Sequence, residues 1–510
     1  MNTVKPVLIL ALLVAQAAAA AEQKPADPAA AATAPAPAAP ATPAPLPAQP
    51  AHAAGFALVG ARVVTMAGHT YSNGTVLVER DTIVGVGGAE MDVPSRYQAI
   101  DVKGLEIYPG FIETNSQLGL TEVSLEDATN DMDEASDVVT PQVKAEDGIN
   151  VRSELIPVTR LNGITTALVS PGESNLFSGQ SAIIDLAGDS VAEMVVRSPA
   201  FCHLNLGEDP RSRGRSKGSF KTRMGLVAQI RETLVKAQEY KRHHERFKEE
   251  LALFEEEQKE EEAKESKEPE KAKETVTSAA GKPDEKKEEK KETACAAGPD
   301  KPAKKKKKLP PEPPSRDLKM EALQPVLEGK LKVFVRAHRE DDIRQALALA
   351  REFGLKIVLS HVSEGWRVAP LIVENGVFAS VGPINTQPDT WETLGARYDN
   401  AALLARAGVT LAIQTGDAHN VRNLPFMAGL AAAHGLGRDE ALAAITIDAA
   451  RVLGIENRYG SVEKGKVANL IVVDGDPLQP ASRVRRLFIR GKELPLKSKQ
   501  TLLYDKFKTK

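Results

Sequence analysis

Residues 331–361 read LKVFVRAHREDDIRQALALAREFGLKIVLSH and give the clearest indication of the fold. Apolar runs over Lys332–Ala337 and Lys356–Ser360 predict two strands, because buried parallel strands are apolar on both faces. The apolar spacing over Asp341–Phe353 predicts a helix between them. A strand, a helix and a second strand in this order form a unit with parallel strands.

The same alternation of strands and helices continues on both sides of this unit. Further candidate strands are Ile107–Glu113, Ile164–Ser170, His203–Leu206, Val377–Val381 and Val409–Gln414. Further candidate helices are Arg152–Leu161, Arg223–Tyr240, Trp391–Ala407 and Arg438–Ile447. Repeated units of this kind predict an α/β protein, a (β/α)₈ TIM-type barrel over residues 107–459.

Both ends of this region contain strands without helices between them. The N-terminal strands are predicted at Phe56–Met66, Thr75–Val78 and Thr82–Val86, and the C-terminal strands at Ala468–Val473 and Val484–Ile489. These ends predict a small β-sandwich domain built from residues 55–106 and 460–495.

Three segments lie outside this pattern. Lys5, the apolar run Val7–Ala15 and the alanines at 17–21 predict a signal peptide over residues 1–21 and therefore export, to the periplasm or the medium. The apolar run is too short to span a membrane. Residues 22–54 are an Ala/Pro-rich linker. In residues 245–318, 40 of 74 positions are charged, which predicts a helix leading into a disordered insertion.

The overall composition excludes some classes of function. The chain has 510 residues with 66 Lys and Arg against 69 Asp and Glu, and this balance argues against a dedicated nucleic-acid binder. Cys202 and Cys295 are the two cysteines, so neither a disulfide framework nor a cysteine-based metal site is expected. A small molecule is the expected partner, and a homo-oligomer is left open.

Four potential ligands or bases follow predicted barrel strands, where barrel enzymes place their chemistry. They are Glu208, His338, His361 and Asp417, with His419 two residues further on. A single histidine after a strand is more often structural than a ligand, and Glu208 alone is typical of a surface acid. Imidazoles on two consecutive strand ends, combined with a carboxylate, favour zinc or a similar divalent ion.

Several motifs resemble the metal-dependent amidohydrolase superfamily in its imidazolonepropionase-like branch. They are NGTVLV at 73–78, TIVGVG at 82–87, YPGFIE at 108–113, TIDAARVLG at 446–454 and GSVEKGKVANL at 460–470. The resemblance spans about residues 56–494, interrupted by the charged insertion. It implies a hydrolase that attacks a carbon–nitrogen bond in a small substrate.

The sequence departs from the family where His-x-His normally follows the first barrel strand, because Asn115-Ser116-Gln117 stands there. Amides are poor zinc ligands, so a two-metal site is not expected. One interpretation is a catalytically silent barrel that acts as a binding or structural protein.

The other interpretation rests on a resemblance to the N-acetylglucosamine-6-phosphate deacetylase branch. It implies one divalent ion, with zinc the first candidate, bound by Glu208, His338 and His361. Asp417 would then take the proton of the metal-activated water and pass it to the leaving nitrogen. Asn115, Gln117 and His419 would position water or substrate.

Overall fold

The computed structural model describes residues 55–265 and 309–508. The predicted signal peptide, the Ala/Pro-rich linker and residues 266–308 of the charged insertion lie outside the described residues. Within these two ranges, no helix combines the length and the apolar character needed to cross a membrane.

The strands are numbered in chain order. They are β1 Gly55–Val64, β2 Thr70–Glu79, β3 Thr82–Gly87, β4 Tyr97–Asp101, β5 Glu106–Pro109, β6 Phe111–Ser116, β7 Ile164–Val169, β8 Phe177–Gln180, β9 Ala182–Asp185, β10 Val195–Arg197, β11 Cys202–Asn205, β12 Val333–Ala337, β13 Ile357–His361, β14 Phe378–Val381, β15 Leu411–Ile413, β16 Leu470–Val473, β17 Val484–Ile489 and β18 Lys492–Glu493.

The α-helices are numbered in the same way. They are α1 Leu155–Arg160, α2 Val191–Met194, α3 Glu208–Ser216, α4 Arg223–Glu265, α5 Leu318–Leu327, α6 Glu340–Phe353, α7 Ala369–Glu374, α8 Asn400–Arg406, α9 Leu424–Ala431, α10 Arg438–Ala444, α11 Ile447–Leu453 and α12 Lys499–Phe507.

One eight-stranded sheet combines the two ends of the described region. Its order is β18-β17-β16-β5-β1-β2-β3, with β4 beside β1. The C-terminal strand β16 pairs antiparallel with β5, with Val472 opposite Ile107. Leu58, Val63 and Phe488 are buried against this pair. Because the strands form one sheet, the predicted β-sandwich is not confirmed.

The central strands carry the parallel pairing expected from the strand–helix–strand pattern. Strands β11 to β15 are successively parallel, and β6 is parallel to β7. The antiparallel strands β8 and β9, with Ser181 between them, pair with β11 and β7 respectively. The fold is therefore TIM-barrel-like with mixed sheets. Among the described residues, the strand pairing forms separate sheets and does not close into the predicted eight-stranded barrel.

Most predicted elements occur near their expected positions, but two helix predictions were wrong in extent. The predicted helix at Trp391–Ala407 is restricted to α8, because Gly395 turns the chain and its carbonyl accepts a hydrogen bond from the Trp366 indole at 3.2 Å. The helix predicted at Arg438–Ile447 breaks after Ala444, and α11 begins at Ile447. The predicted helix leading into the charged insertion is observed, because α4 continues beyond Tyr240 to Glu265.

Candidate active site at the strand ends

Two buried histidines lie side by side at the ends of β12 and β13. The strands pair in register with Ala337 opposite His361, so His338 follows directly beside it. The centroids of the two imidazole rings are 4.6 Å apart. Nδ1 of His338 lies 2.8 Å from the Ser363 hydroxyl. The parallel register therefore produces the pair that the sequence spacing indicates.

The backbone at His361 is strained. His361 and Val362 have φ angles of 69° and 55°, a conformation that non-glycine residues, and β-branched ones above all, rarely adopt. The Asn400 side-chain amide donates to the Val362 carbonyl at 2.9 Å and helps to hold this turn. Such strain is often found at functional sites, and here it determines where the His361 ring lies.

A buried cluster of opposite charges lies next to the histidines, centred on Arg336 of β12. Its guanidinium donates to Glu173 Oε2 at 2.7 Å, Glu392 Oε2 at 2.9 Å and Asp209 Oδ2 at 2.8 Å, and its side chain is 7% exposed. Burial lowers the pKa of Arg336, but the attraction of the three carboxylates outweighs this effect and raises it. Arg336 therefore remains a fixed positive charge.

Glu173 connects this charge cluster to the histidine pair. Its Oε1 lies 3.4 Å from His361 Nε2 and accepts a hydrogen bond from the Asn115 side chain at 3.4 Å. Burial raises the pKa of Glu173, but its contacts with the His361 ring and the Arg336 guanidinium outweigh burial and lower it. Burial also lowers the pKa of His361, which Glu173 only partly offsets. At neutral pH the pair is therefore a carboxylate beside a neutral imidazole.

Sequence analysis missed Glu173, Arg336 and Glu392. Glu173 and Glu392 lie on loops outside the strands, where the chain gives no periodic signal. Arg336 offered a signal, because it is a charge inside the apolar run Val333–Ala337. A charged residue within a buried strand needs a partner of opposite charge.

Glu208 does not join the two histidines. It is the first residue of α3, and its carboxylate pairs with Arg211 one turn along the same helix and lies 3.9 Å from Arg215. Among the described residues, no group of three or more His, Cys, Asp or Glu side chains is arranged to hold a metal ion. The predicted ligand set of Glu208, His338 and His361 is therefore not assembled.

Asp417 and His419 lie on the loop after β15. The two Asp417 oxygens accept hydrogen bonds from the His419 backbone at 2.8 Å and from the Asn420 side chain at 2.7 Å. His419 Nε2 lies 2.8 Å from the Glu122 carbonyl oxygen. The Asp417 carboxylate is thus fixed within its loop and partly exposed to solvent.

The first barrel strand contributes Asn115, Gln117 and a buried acid, Glu113. Asn115 and Gln117 are both buried, and the Asn115 carbonyl accepts a hydrogen bond from the Gly416 N–H at 3.1 Å. Glu113 accepts from the Thr415 hydroxyl at 2.7 Å and from the Asn115 N–H at 2.9 Å. Burial outweighs these bonds and raises the pKa of Glu113 to about 7. These contacts connect β6 to the loop after β15.

A cavity of about 270 Å³ opens beside these strand ends. It is lined by Gly207, Glu208, Arg211, Arg223, Arg339, Asp342, Trp391 and Glu392. The Arg339 guanidinium lies 4.8 Å from the centre of the exposed Trp391 ring. A larger cavity of about 780 Å³ lies between β1 and helices α10 and α11, but no strand-end candidate lines it. The smaller cavity reaches the Arg336 cluster through Glu392, and His338 and His361 are not among its lining residues.

Comparisons with known proteins agree with this class of fold and site. The sequence model of the Amidohydrolase family matches residues 368–494. The amidohydrolase tasK of Hapsidospora irregularis is 22% identical over 441 residues, which cover 82% of this chain and 39% of that protein. Imidazolonepropionase of Syntrophobacter fumaroxidans is 37% identical over 93 residues, covering 17% of this chain and 22% of the enzyme.

A solved structure extends the likeness to most of the chain. The amidohydrolase from Thermotoga maritima MSB8 has a TM-score of 0.69 and 27% identity, covering 86% of this chain and 99% of that one. The fold is of the TIM-barrel type found in amidohydrolases. These matches support the metal-dependent amidohydrolase superfamily, in its imidazolonepropionase-like branch. The chain spans only 39% and 22% of the lengths of the two relatives compared by sequence.

Proposed function

We propose that the protein hydrolyses a carbon–nitrogen bond of a small amide, cyclic amide or amidine at the strand-end site. The observation that carries this proposal is the buried pair of His338 and His361, 4.6 Å apart, beside the carboxylate of Glu173. Neutral imidazoles and a carboxylate in a partly closed site are the groups that bind and orient a hydrolytic water. Membership of the amidohydrolase superfamily supports the same class of reaction.

In this reaction the oxygen of water adds to the carbonyl or amidine carbon, and the carbon–nitrogen bond breaks. One proton of the water is transferred to the departing nitrogen. In our proposal Asp417 carries this proton. It lies on the loop after β15, which is joined to Asn115 at the end of β6 by the hydrogen bond from the Gly416 N–H to the Asn115 carbonyl. Asn115, Gln117 and His419 orient the water or the substrate.

Members of this superfamily generally use a divalent metal ion, which supplies an activated water when it is bound. The residues described here do not fit the predicted three-ligand zinc site. Glu208 is paired with Arg211, and Arg336 places a fixed positive charge 2.7 Å from Glu173, where it would repel a second cation. We therefore propose at most one divalent ion per chain, and the chemistry above uses only the chain's own residues.

The test is a screen of the purified chain against N-acyl amino acids, cyclic amides, amidines and dipeptides, with the metal content measured on the same sample. We expect hydrolysis of at least one class and its loss in His361→Ala. His243→Ala is the matched control, because His243 is exposed on α4. Absence of turnover in every class would contradict the proposal.

A catalytically silent binding barrel is the second candidate, and the Arg336 cluster favours it. The Arg336 guanidinium already pairs with the carboxylates of Glu173, Asp209 and Glu392, so these three acids need no metal ion. A fold stabilised by these ion pairs can keep a binding cavity without catalysing a reaction. Thermal stabilisation by a compound that the protein does not hydrolyse would support this candidate. Export to the periplasm or the medium also remains a proposal, and fractionation of the producing cells tests it.

A further inference from the structure

Helix α12, Lys499–Phe507, exposes its large apolar side chains instead of burying them. No residue of this helix is buried. Leu502, Leu503, Tyr504 and Phe507 are 57%, 46%, 68% and 46% exposed. A helix of nine residues without a packed apolar face is marginal in water. A group of exposed apolar side chains marks a surface that binds another molecule.

The start of α12 is fixed to the rest of the protein. Ser498 is buried, and its hydroxyl oxygen accepts a hydrogen bond from the Thr501 N–H at 3.3 Å. The Thr501 hydroxyl oxygen accepts one from the Ser498 N–H at 2.9 Å, which completes a capping box. Leu494 and Leu496, just before the helix, pack against the main core. The helix is therefore held at the surface with the half-buried side of Thr501 towards the protein.

Helical periodicity separates the apolar side of α12 from its acid. With 3.6 residues per turn, Leu503, Tyr504 and Phe507 share an arc of about 100° around the helix axis. Asp505 lies on the opposite side, about 150° from the middle of this arc. Thr501 also lies outside the arc. The apolar arc therefore faces away from both the protein and the acid.

Lysines lie along both edges of the apolar arc. Lys499 and Lys506 lie along one edge and Lys508 along the other. The Lys506 ammonium is 5.4 Å from the centre of the Phe507 ring, and the Lys508 ammonium is 5.9 Å from the centre of the Tyr504 ring. The cations and the apolar side chains therefore form one surface.

The charge of this surface is positive. Residues 494–508 contain Lys497, Lys499, Lys506 and Lys508 and a single acid, Asp505. Asp505 pairs with Lys508 at 2.9 Å. In the described part of the chain, the other three lysines form no ion pair with a carboxylate. Because the whole chain has a net charge of −3, the positive charge is local and favours an anionic partner.

We propose that α12 binds the surface of a membrane that contains anionic lipids. Leu503, Tyr504 and Phe507 lie between the headgroups, and the lysines lie against the lipid phosphates. An apolar arc with cationic edges is typical of helices that lie in the membrane interface, where tyrosine is also enriched. The helix lies on the membrane and does not cross it. This binding is separate from the proposed hydrolysis.

The same charges disfavour a second copy of the chain as the occupant. A symmetric dimer places the same surface of each chain against itself, so the lysines of the two copies would face each other. A stable protein interface also uses about 20–30 residues on each side. The exposed part of α12 has nine residues. A planar anionic surface therefore fits this helix better than its own copy.

Vesicle binding by residues 22–510 tests the proposal. This chain keeps every described residue and lacks the apolar run Val7–Ala15, which itself partitions into lipid. Co-sedimentation compares vesicles of phosphatidylcholine with vesicles of equal parts phosphatidylcholine and phosphatidylglycerol. We expect binding to the mixed vesicles to be about a hundredfold tighter, roughly fivefold for each of the three net positive charges. Equal binding to both kinds of vesicle, or binding to neither, would overturn the inference.

Two variants separate the apolar and the charged contributions. Leu503→Gln/Tyr504→Gln should weaken binding to the mixed vesicles by at least about tenfold, because it removes apolar surface from the contact. Lys499→Glu/Lys506→Glu should abolish the preference for the mixed vesicles, because it reverses the net charge of the helix. The Tm of both variants should equal that of the wild type, since no residue of α12 is buried. A loss of binding then reflects the surface and not unfolding.

Matched controls change exposed residues elsewhere. Leu125→Gln removes a side chain that is 99% exposed, and Lys103→Glu/Lys464→Glu reverses two exposed lysines. Both should bind the mixed vesicles as the wild type does. Wild-type binding by the two α12 variants would contradict the proposal. Analytical ultracentrifugation without lipid tests the other occupant, because a dimer that is lost in Leu503→Gln/Tyr504→Gln would assign this surface to a second copy and overturn the inference.

Discussion

Replacing Arg336 with methionine should lower the free energy of unfolding by about 3–5 kcal/mol, because it leaves buried carboxylates without their counter-ion. Glu392 dominates this loss, since its side chain is 8% exposed and its remaining hydrogen-bond donor is the Glu208 N–H at 2.6 Å. Glu173 keeps contacts with His361 and Asn115 and contributes less. Asp209 is more than half exposed, so solvent screens the loss of its bond.

Urea unfolding at neutral pH, followed by circular dichroism, measures this loss. Arg231→Met is the matched control, because Arg231 binds Glu352 in a bidentate pair at the surface, where solvent screens the interaction. The double variant Arg336→Met/Glu392→Gln should regain about half of the lost stability, since it removes the unpaired charge. A loss in Arg336→Met no larger than in the control, or no recovery in the double variant, would refute the reasoning.

Three further predictions concern pH, catalysis and the insertion. Burial raises the pKa of Glu113 to about 7, so the folded protein favours the protonated carboxyl. The contribution of this group to the free energy of unfolding is complete below about pH 4.5. It is lost as the pH rises through 7, and the free energy of unfolding then falls by about 3 kcal/mol. Glu113→Gln should flatten the urea-derived stability between pH 5 and 8, and equal slopes in both proteins would contradict this. In the hydrolysis assay, Asp417→Asn should lower kcat by roughly 10²–10⁴-fold, and Asn115→Ala should lower it less. Both His338→Ala and His361→Ala should abolish turnover. Two equivalents of bound metal in the wild type would refute the proposed limit of one divalent ion per chain. Deleting residues 259–313 should leave the Tm nearly unchanged in calorimetry, and a large decrease would show that the insertion packs on the barrel.

The sequence was sufficient for the central parallel strands because a buried strand can be recognised from its own residues. Val333–Ala337 and Ile357–His361 are buried along their whole length, and such strands appear as continuous apolar runs. The pairing of β5 with β16 joins residues more than 350 positions apart. The sequence indicated it through the apolar strands, without helices between them, at both ends of the barrel region. The antiparallel strands β8 and β9 were not predicted, because Ser181 alone separates them and no helical segment marks where one ends and the other begins.

The site was harder to predict because its partners come from loops. Glu208 follows β11 as a ligand should, but Arg211 lies three residues further along α3 and takes its carboxylate. Glu173 lies four residues beyond β7, yet the fold brings it within 3.4 Å of His361. The choice between these two acids depends on loop conformation, which residue type and spacing do not determine.

The distribution of charge at the strand ends explains why the chain retains two histidines without the rest of the predicted zinc site. Arg336 already neutralises part of the negative charge of Glu173 and Glu392, which is the electrostatic role that a bound cation would have. The neighbouring His361 Nε2 faces Glu173, whose Oε1 lies 3.4 Å away. Amides in place of His-x-His after the first barrel strand, and an arginine in β12, are therefore physically consistent features of one site. Together they favour at most one bound divalent ion per chain.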